Sequence, residues 1–255
     1  MTSIKTIFFT LILLLSASAL SQSLRVVTEN KPPLQTVTND NVLTGAMVEI
    51  VNLLLAQANV EAPIEVYPWA RSYQIASEQN NTLIFSMFRN KNREKKFQWI
   101  GKLLTVNSYL VSLKTEQNIT INSISDAKKY SIGIIREDLA EHYLRENGFV
   151  ENKNLYLNSD CKILWQMLHN GRTDLAFAND ILWQYEVEYA GLDPSKFHLV
   201  YQVPNFATDL YIAASLDVDK TVVERIKSAL ALIKANGQYQ DILNKWQLTP
   251  NKQTQ

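Results

Sequence analysis

The feature that most constrains how this chain can fold is a strand–helix alternation that runs once, stops, and starts again. LRVVTEN is a valine-rich apolar run broken by KPPL, which reads as a buried strand. GAMVEIVNLLLAQANV then places Met47, Ile50, Val51, Leu54 and Leu55 on one face of a helix. APIEVYP, ended by Pro68, supplies a second strand, WARSYQIASEQ a short helix, and TLIFSMF a third strand. Beyond WIGKLL and the strand-like NSYLVSLK lies a polar stretch, TEQNITINSISDAKKY. The alternation then resumes with SIGII, EDLAEHYLRENG, NLYLN, CKILWQMLHNG and DLAFA as strand, helix, strand, helix and strand. Two such series of about 90 residues each predict an α/β protein with parallel strand pairing and two lobes. HLVYQV and DLYIAAS are further strands. The closing amphipathic run from Lys220 to Trp246, broken at Gly237, is too short for a third domain and is expected to cap one of the lobes.

The N-terminus has a different logic. MTSIKTIFFTLILLLSASALSQS carries a lysine, an apolar run from Ile7 to Leu15 and then small residues, the order of a secretory signal peptide over residues 1–21. Cleavage after Ala19 or after Ser21 fits the small residues there. The apolar run falls short of the roughly 20 residues of a membrane span. The single cysteine, Cys161, lies far from the cleavage region and has no internal partner, so it reads as a small buried residue in a helix. With 25 basic and 25 acidic residues, and Lys5 lost with the signal, the mature chain is nearly neutral. That balance argues against nucleic acid as a partner, which calls for a strongly basic surface. Seven scattered glycines make no phosphate-cradling loop. No GxSxG elbow or HExxH pair is present, and His142, His169 and His198 are dispersed, so neither a hydrolase nor a metal site is supported.

The order of several short segments resembles the bacterial extracellular solute-binding proteins of family 3, whose familiar members bind polar amino acids for ABC transporters. LRVVTENKPPL resembles that family's first strand and breaker, and GAMVE the entry to its first helix. SMFRNKNRE resembles the segment that presents a ligand arginine, SDAKKYSIGII the start of the second lobe, GRTDLAFAND its last strand, and ANGQYQDILNKW the closing helix. The resemblance covers about 220 residues. It implies two α/β lobes joined by a hinge with a ligand cleft between them, residues 22–107 forming the first part of lobe one and 108–208 lobe two. Residues 209–255 would return to pack on lobe one. It further implies a monomer that captures a small polar solute without a cofactor and docks on an ABC permease or a membrane receptor. Closure of two lobes around a solute is a recurrent two-state device.

The resemblance places Arg93 as the residue that grips a ligand carboxylate, a role suited to a planar guanidinium fork held at the exit of a buried strand. A solvated basic turn with Lys91, Lys95 and Lys96 is the alternative, and Arg89 is an ambiguous neighbour. Ser86 stands where relatives use a small hydroxyl, and Glu29 where an acid can meet the far end of the ligand. Trp69 and Arg71, in PWAR, are expected at the cleft rim, the tryptophan as a flat wall; Trp99 is expected to pack. In lobe two the usual Gly-Thr pair is replaced by Arg136, Glu137 and Asp138, and the usual aspartate by Asn179 with Asp180 next to it. Asp138 and Asp180 are therefore the candidates for a positive group, unless the ligand lacks an α-amino group or carries extra positive charge. Carboxylates such as Glu29 and Asp138 would also suit acid–base chemistry of a dehydratase type, and a sensing component for a signalling receptor would use the same two-lobed switch.

Overall fold

A computed structural model describes residues 23–116 and 118–248; the signal-peptide reading falls outside them. Two five-stranded sheets organise the molecule. The first has the order β4-β1-β5-β12-β6, built from β1 (Arg25–Thr28), β4 (Ile64–Val66), β5 (Thr82–Phe88), β6 (Gln98–Thr105) and β12 (Asp209–Ala214). The second has the order β11-β7-β10-β8-β9, from β7 (Ser108–Leu113), β8 (Ile132–Ile135), β9 (Leu155–Asn158), β10 (Leu175–Asn179) and β11 (Phe197–Gln202). A two-stranded ribbon, β2 (Thr36–Val37) with β3 (Leu43–Thr44), stands beside the first sheet. The expected parallel pairing holds only for part of each sheet. β1 runs parallel to β4 and β5, and β8 to β9 and β10, whereas β12, β7 and β11 pair antiparallel. The reason is that the chain leaves the first sheet along β6 into β7 and returns along β11 into β12, so the outgoing and returning strands run in opposite directions within each sheet.

The helices form where the apolar spacing put them. α1 (Ala46–Gln57) buries Met47, Ile50, Val51, Leu54 and Leu55 against the first sheet. It starts at Gly45, whose φ of 130° suits glycine and whose place has no room for a Cβ, which would come within 2.5 Å of the Leu34 carbonyl oxygen. α2 (Trp69–Glu78) covers β1 and β5. In the second lobe α3 (Leu139–Glu146) and α4 (Cys161–His169) are capped by Asp138 and Asp160, which accept from Ala140 N at 2.8 Å and Ile163 N at 2.9 Å. A short α5 (Trp183–Tyr189) packs on α4. The terminal helices α6 (Lys220–Ala235) and α7 (Gln238–Lys245) meet α1, and α6 also packs on β6, so both lie on the first lobe. Gly237, in the left-handed conformation (φ 89°), separates them.

Strand β5 sets up the cleft. All seven of its residues are buried between β1 and β12. Its register with β12 slips between Ile84 and Met87, where Ser86 takes a left-handed backbone (φ 59°), the geometry of a bulge. Beyond Phe88 the chain enters the basic turn that carries Arg93.

Candidate functional site

Arg93 is not a solvated turn residue. It is 3% exposed, donating from Nη1 to the Phe88 carbonyl at 3.1 Å in its own lobe and from Nη2 to the Glu137 carbonyl at 3.2 Å in the other. Its guanidinium lies 4.8 Å from the centre of the Tyr73 ring and 5.5 Å from that of Trp69. Burial lowers its pKa from the usual arginine range. A guanidinium carries five N–H donors, of which these bonds and the Tyr73 side chain engage part.

Trp69 reaches the same carbonyl: its indole N–H donates to Glu137 O at 2.8 Å. Two side chains of the first lobe therefore converge on one backbone oxygen of the second. The Glu137 backbone is left-handed (φ 61°), and its N–H donates to Glu141 Oε2 at 2.6 Å, which fixes the loop ahead of α3. A further cross-lobe contact joins Cys161 Sγ to the Asn30 carbonyl at 3.9 Å. The lobes are closed on one another.

Next to this junction lies a small cavity of about 20 Å³, room for one water. Glu29 and Lys31 line it from the first lobe, and Asp138, Asn179 and Glu186 from the second, over an apolar floor that includes Phe88 and Ile134. Burial, together with the Asp138 and Glu186 carboxylates, pushes the Glu29 carboxyl up to about 7 although Lys31 pulls the other way. For Lys31, burial works to lower the pKa and the Glu29 and Glu186 carboxylates reverse it, so the ammonium stays charged. Burial raises Glu186, whose Oε2 accepts from the Trp165 indole N–H at 3.0 Å.

Of the residues picked from the sequence, the structure brings Glu29 and Asp138 to the cavity and Arg93 and Trp69 to the lobe junction. It places three elsewhere. Ser86 is buried beneath the cleft, where its hydroxyl donates to Gln35 Oε1 at 3.0 Å. Arg71 is exposed on the outer face of α2 and donates to Gln74 Oε1 at 3.0 Å, because helix geometry turns it away from Trp69. Asp180, expected to receive a positive group, instead secures the passage from β6 to β7. Its carboxylate accepts from Asn107 N at 3.0 Å, Asn107 Nδ2 at 2.8 Å and Ile181 N at 2.8 Å. Asn179 donates to Ser108 Oγ at 3.2 Å. Trp99 packs as expected, edge-on to Tyr211 and Phe97, and Arg89 is held by Glu94 at 2.8 and 2.6 Å.

Lys31 and Glu186 were missed. Lys31 sat in a segment legible only as a breaker, yet two residues after Glu29 in an extended chain it had to share that side chain's face. Glu186 lies on α5, a helix of seven residues with no long periodic signal. Among the described residues no group of His, Cys, Asp and Glu is arranged to hold a metal ion, and no helix is long and apolar enough to cross a membrane.

This geometry has relatives. An arginine-binding periplasmic protein of Mannheimia haemolytica is 25% identical over 232 residues, covering 90% of this chain and 92% of that protein. Among solved structures, a histidine kinase sensor domain with similarity to periplasmic binding proteins superposes with a TM-score of 0.76 at 17% identity, covering 88% of this chain and 95% of the other. An ancestral arginine-binding protein bound to arginine gives 0.75 at 18%, covering 88% and 97%. These structural likenesses speak for the two-lobed fold. The sequence pattern of one family matches residues 24–249, nearly all of the chain beyond the leader-like segment, and by that match the chain belongs to the bacterial extracellular solute-binding proteins, family 3.

Proposed function

We propose that this protein is exported to the periplasm, captures a small polar solute in the cleft between its lobes, an amino acid or a related carboxylate, and delivers it to an ABC transporter. The observation that carries this reading is the convergence of Arg93 and Trp69 on the Glu137 carbonyl across the cleft, beside a buried cluster of ionic groups from both lobes. In this reading residues 22–107 with 209–255 form one lobe and 108–208 the other. Arg93 grips the carboxylate with the donors that Phe88 and Glu137 leave over, Trp69 walls the cleft, and Glu29 and Asp138 supply negative charge at its far side. Binding a carboxylate between Arg93 and the second lobe would favour the closed arrangement, since a ligand shifts a two-state equilibrium by its differential affinity for the two states.

A panel of amino acids, dicarboxylates and polyamines screened by thermal shift tests the reading. A solute at 100 times its dissociation constant adds about 2.7 kcal/mol of stability. The variant Arg93→Ala should then bind the responding solute about 100-fold more weakly, since hydrogen bonds to a charged group contribute roughly 1.5–3 kcal/mol. Unchanged affinity in that variant would remove Arg93 from the site. A second reading, a ligand-sensing component for a signalling receptor, is favoured by the likeness to the kinase sensor domain. Transport would be supported by solute-dependent binding to a permease, sensing by solute-dependent binding to a receptor.

A further inference from the structure

The cavity holds its own cation. Lys31 Nζ lies 3.8 Å from Glu29 Oε1 in the first lobe and 3.9 Å from Glu186 Oε1 in the second, and all three side chains are almost wholly buried. Each partner is held in place. The Lys31 backbone is tied into a tight turn, its N–H donating to Gln35 O at 2.7 Å and its carbonyl accepting from Leu34 N at 2.9 Å. Glu186 is oriented by the Trp165 indole, which engages one carboxylate oxygen and leaves the other to face Lys31. Asp138 lines the same space. Acidic groups from two lobes converging on one point are what a cleft needs to recognise a positively charged solute, and here the ammonium that faces them is covalently attached. Resting on the proposed capture of a carboxylate solute, we infer that Lys31 is a specificity-determining residue that fills the cation subsite from within. The cleft then takes carboxylate solutes without a positively charged side chain and excludes those that carry a guanidinium or a second ammonium.

A tethered ammonium competes at a local concentration that a dissolved cation reaches only at millimolar levels or above. Its displacement would also leave a charged lysine in a pocket about one water wide, and an unpaired buried charge is strongly disfavoured. The ligand class therefore differs from that named for the arginine-binding relative.

The test is calorimetric titration of the mature protein and of Lys31→Met with arginine, glutamine and succinate as probes, with Lys31→Gln as a second variant should the first fail to fold. In the wild type, glutamine or succinate should bind at least about 100-fold more tightly than arginine, and removing the ammonium should strengthen arginine binding by about 100-fold. Arginine binding to the wild type as tightly as to the variants would overturn the role of Lys31 and leave the solute-binding reading standing. If none of the three probes binds any of the proteins, the capture of amino acids and related carboxylates falls, and the inference with it.

Discussion

Replacing Glu29 by glutamine keeps the size of the side chain and removes its proton equilibrium, so the variant isolates what this carboxyl does to stability. Burial is the largest influence on it, with the neighbouring Asp138 and Glu186 adding to the effect, and together they raise its pKa from 4.5 to about 7. Between those values the folded chain holds a proton that the unfolded chain has released. The stability associated with that proton is fully present below about pH 4.5 and is lost as the pH rises through 7. At about 1.4 kcal/mol per pH unit the full effect is about 3 kcal/mol, most of which falls between pH 5 and pH 8. Lys31, raised by the same carboxylates, keeps its charge across this window and does not contribute to the change. Urea unfolding of both proteins at about pH 5 and pH 8 should therefore show Glu29→Gln gaining on the wild type by about 2–3 kcal/mol at the higher pH. A stability difference that stays the same at the two pH values would refute the reasoning and mean that Glu29 is ionised throughout.

Three further changes separate the roles of neighbouring groups. Trp69→Phe keeps an aromatic wall but removes the indole donor to Glu137, at a cost of about 1 kcal/mol to lobe closure; small-angle scattering should show a larger radius of gyration, and an unchanged one would sink the idea that this bond helps hold the lobes together. Asp180→Ala strips three acceptor contacts from the β6–β7 passage and should cost roughly 1–3 kcal/mol in unfolding free energy, while leaving solute affinity within a few-fold of wild type. A loss of affinity at unchanged stability would instead make Asp180 a ligand contact. Gly237→Ala puts a side chain at a backbone φ of 89° between α6 and α7 and should destabilise by about 1 kcal/mol in thermal unfolding, an expectation that an unchanged melting temperature would contradict.

The elements with a clear period were legible in the sequence and the site was legible only in part. The apolar face of α1 and the seven-residue run of β5 follow directly from their spacing. The family resemblance points to Arg93, which is 3% exposed within its basic turn. What escaped was tertiary. The turn of α2 that carries Arg71 outward depends on which face Trp69 buries. The bulge that buries Ser86 arises from the pairing of β5 with a strand more than 120 residues later. Asp180 stands in the sequence as a candidate for a positive group because nothing local reveals that Asn107 lies against it. Glu186 and Lys31 meet only once the two lobes do.

Among the described residues the chain crosses between the lobes twice, at residues 106–107 and 203–208, and the first crossing is stitched to the second by Val106 N–H donating to Thr208 O at 2.8 Å. A body hung on one strand can swing and spin in any direction; one hung on two adjacent strands is left with little beyond rotation about a single axis. Any parting of the lobes would thereby be reduced to essentially one coordinate. A single pair of labels, one on each lobe, would suffice to follow it.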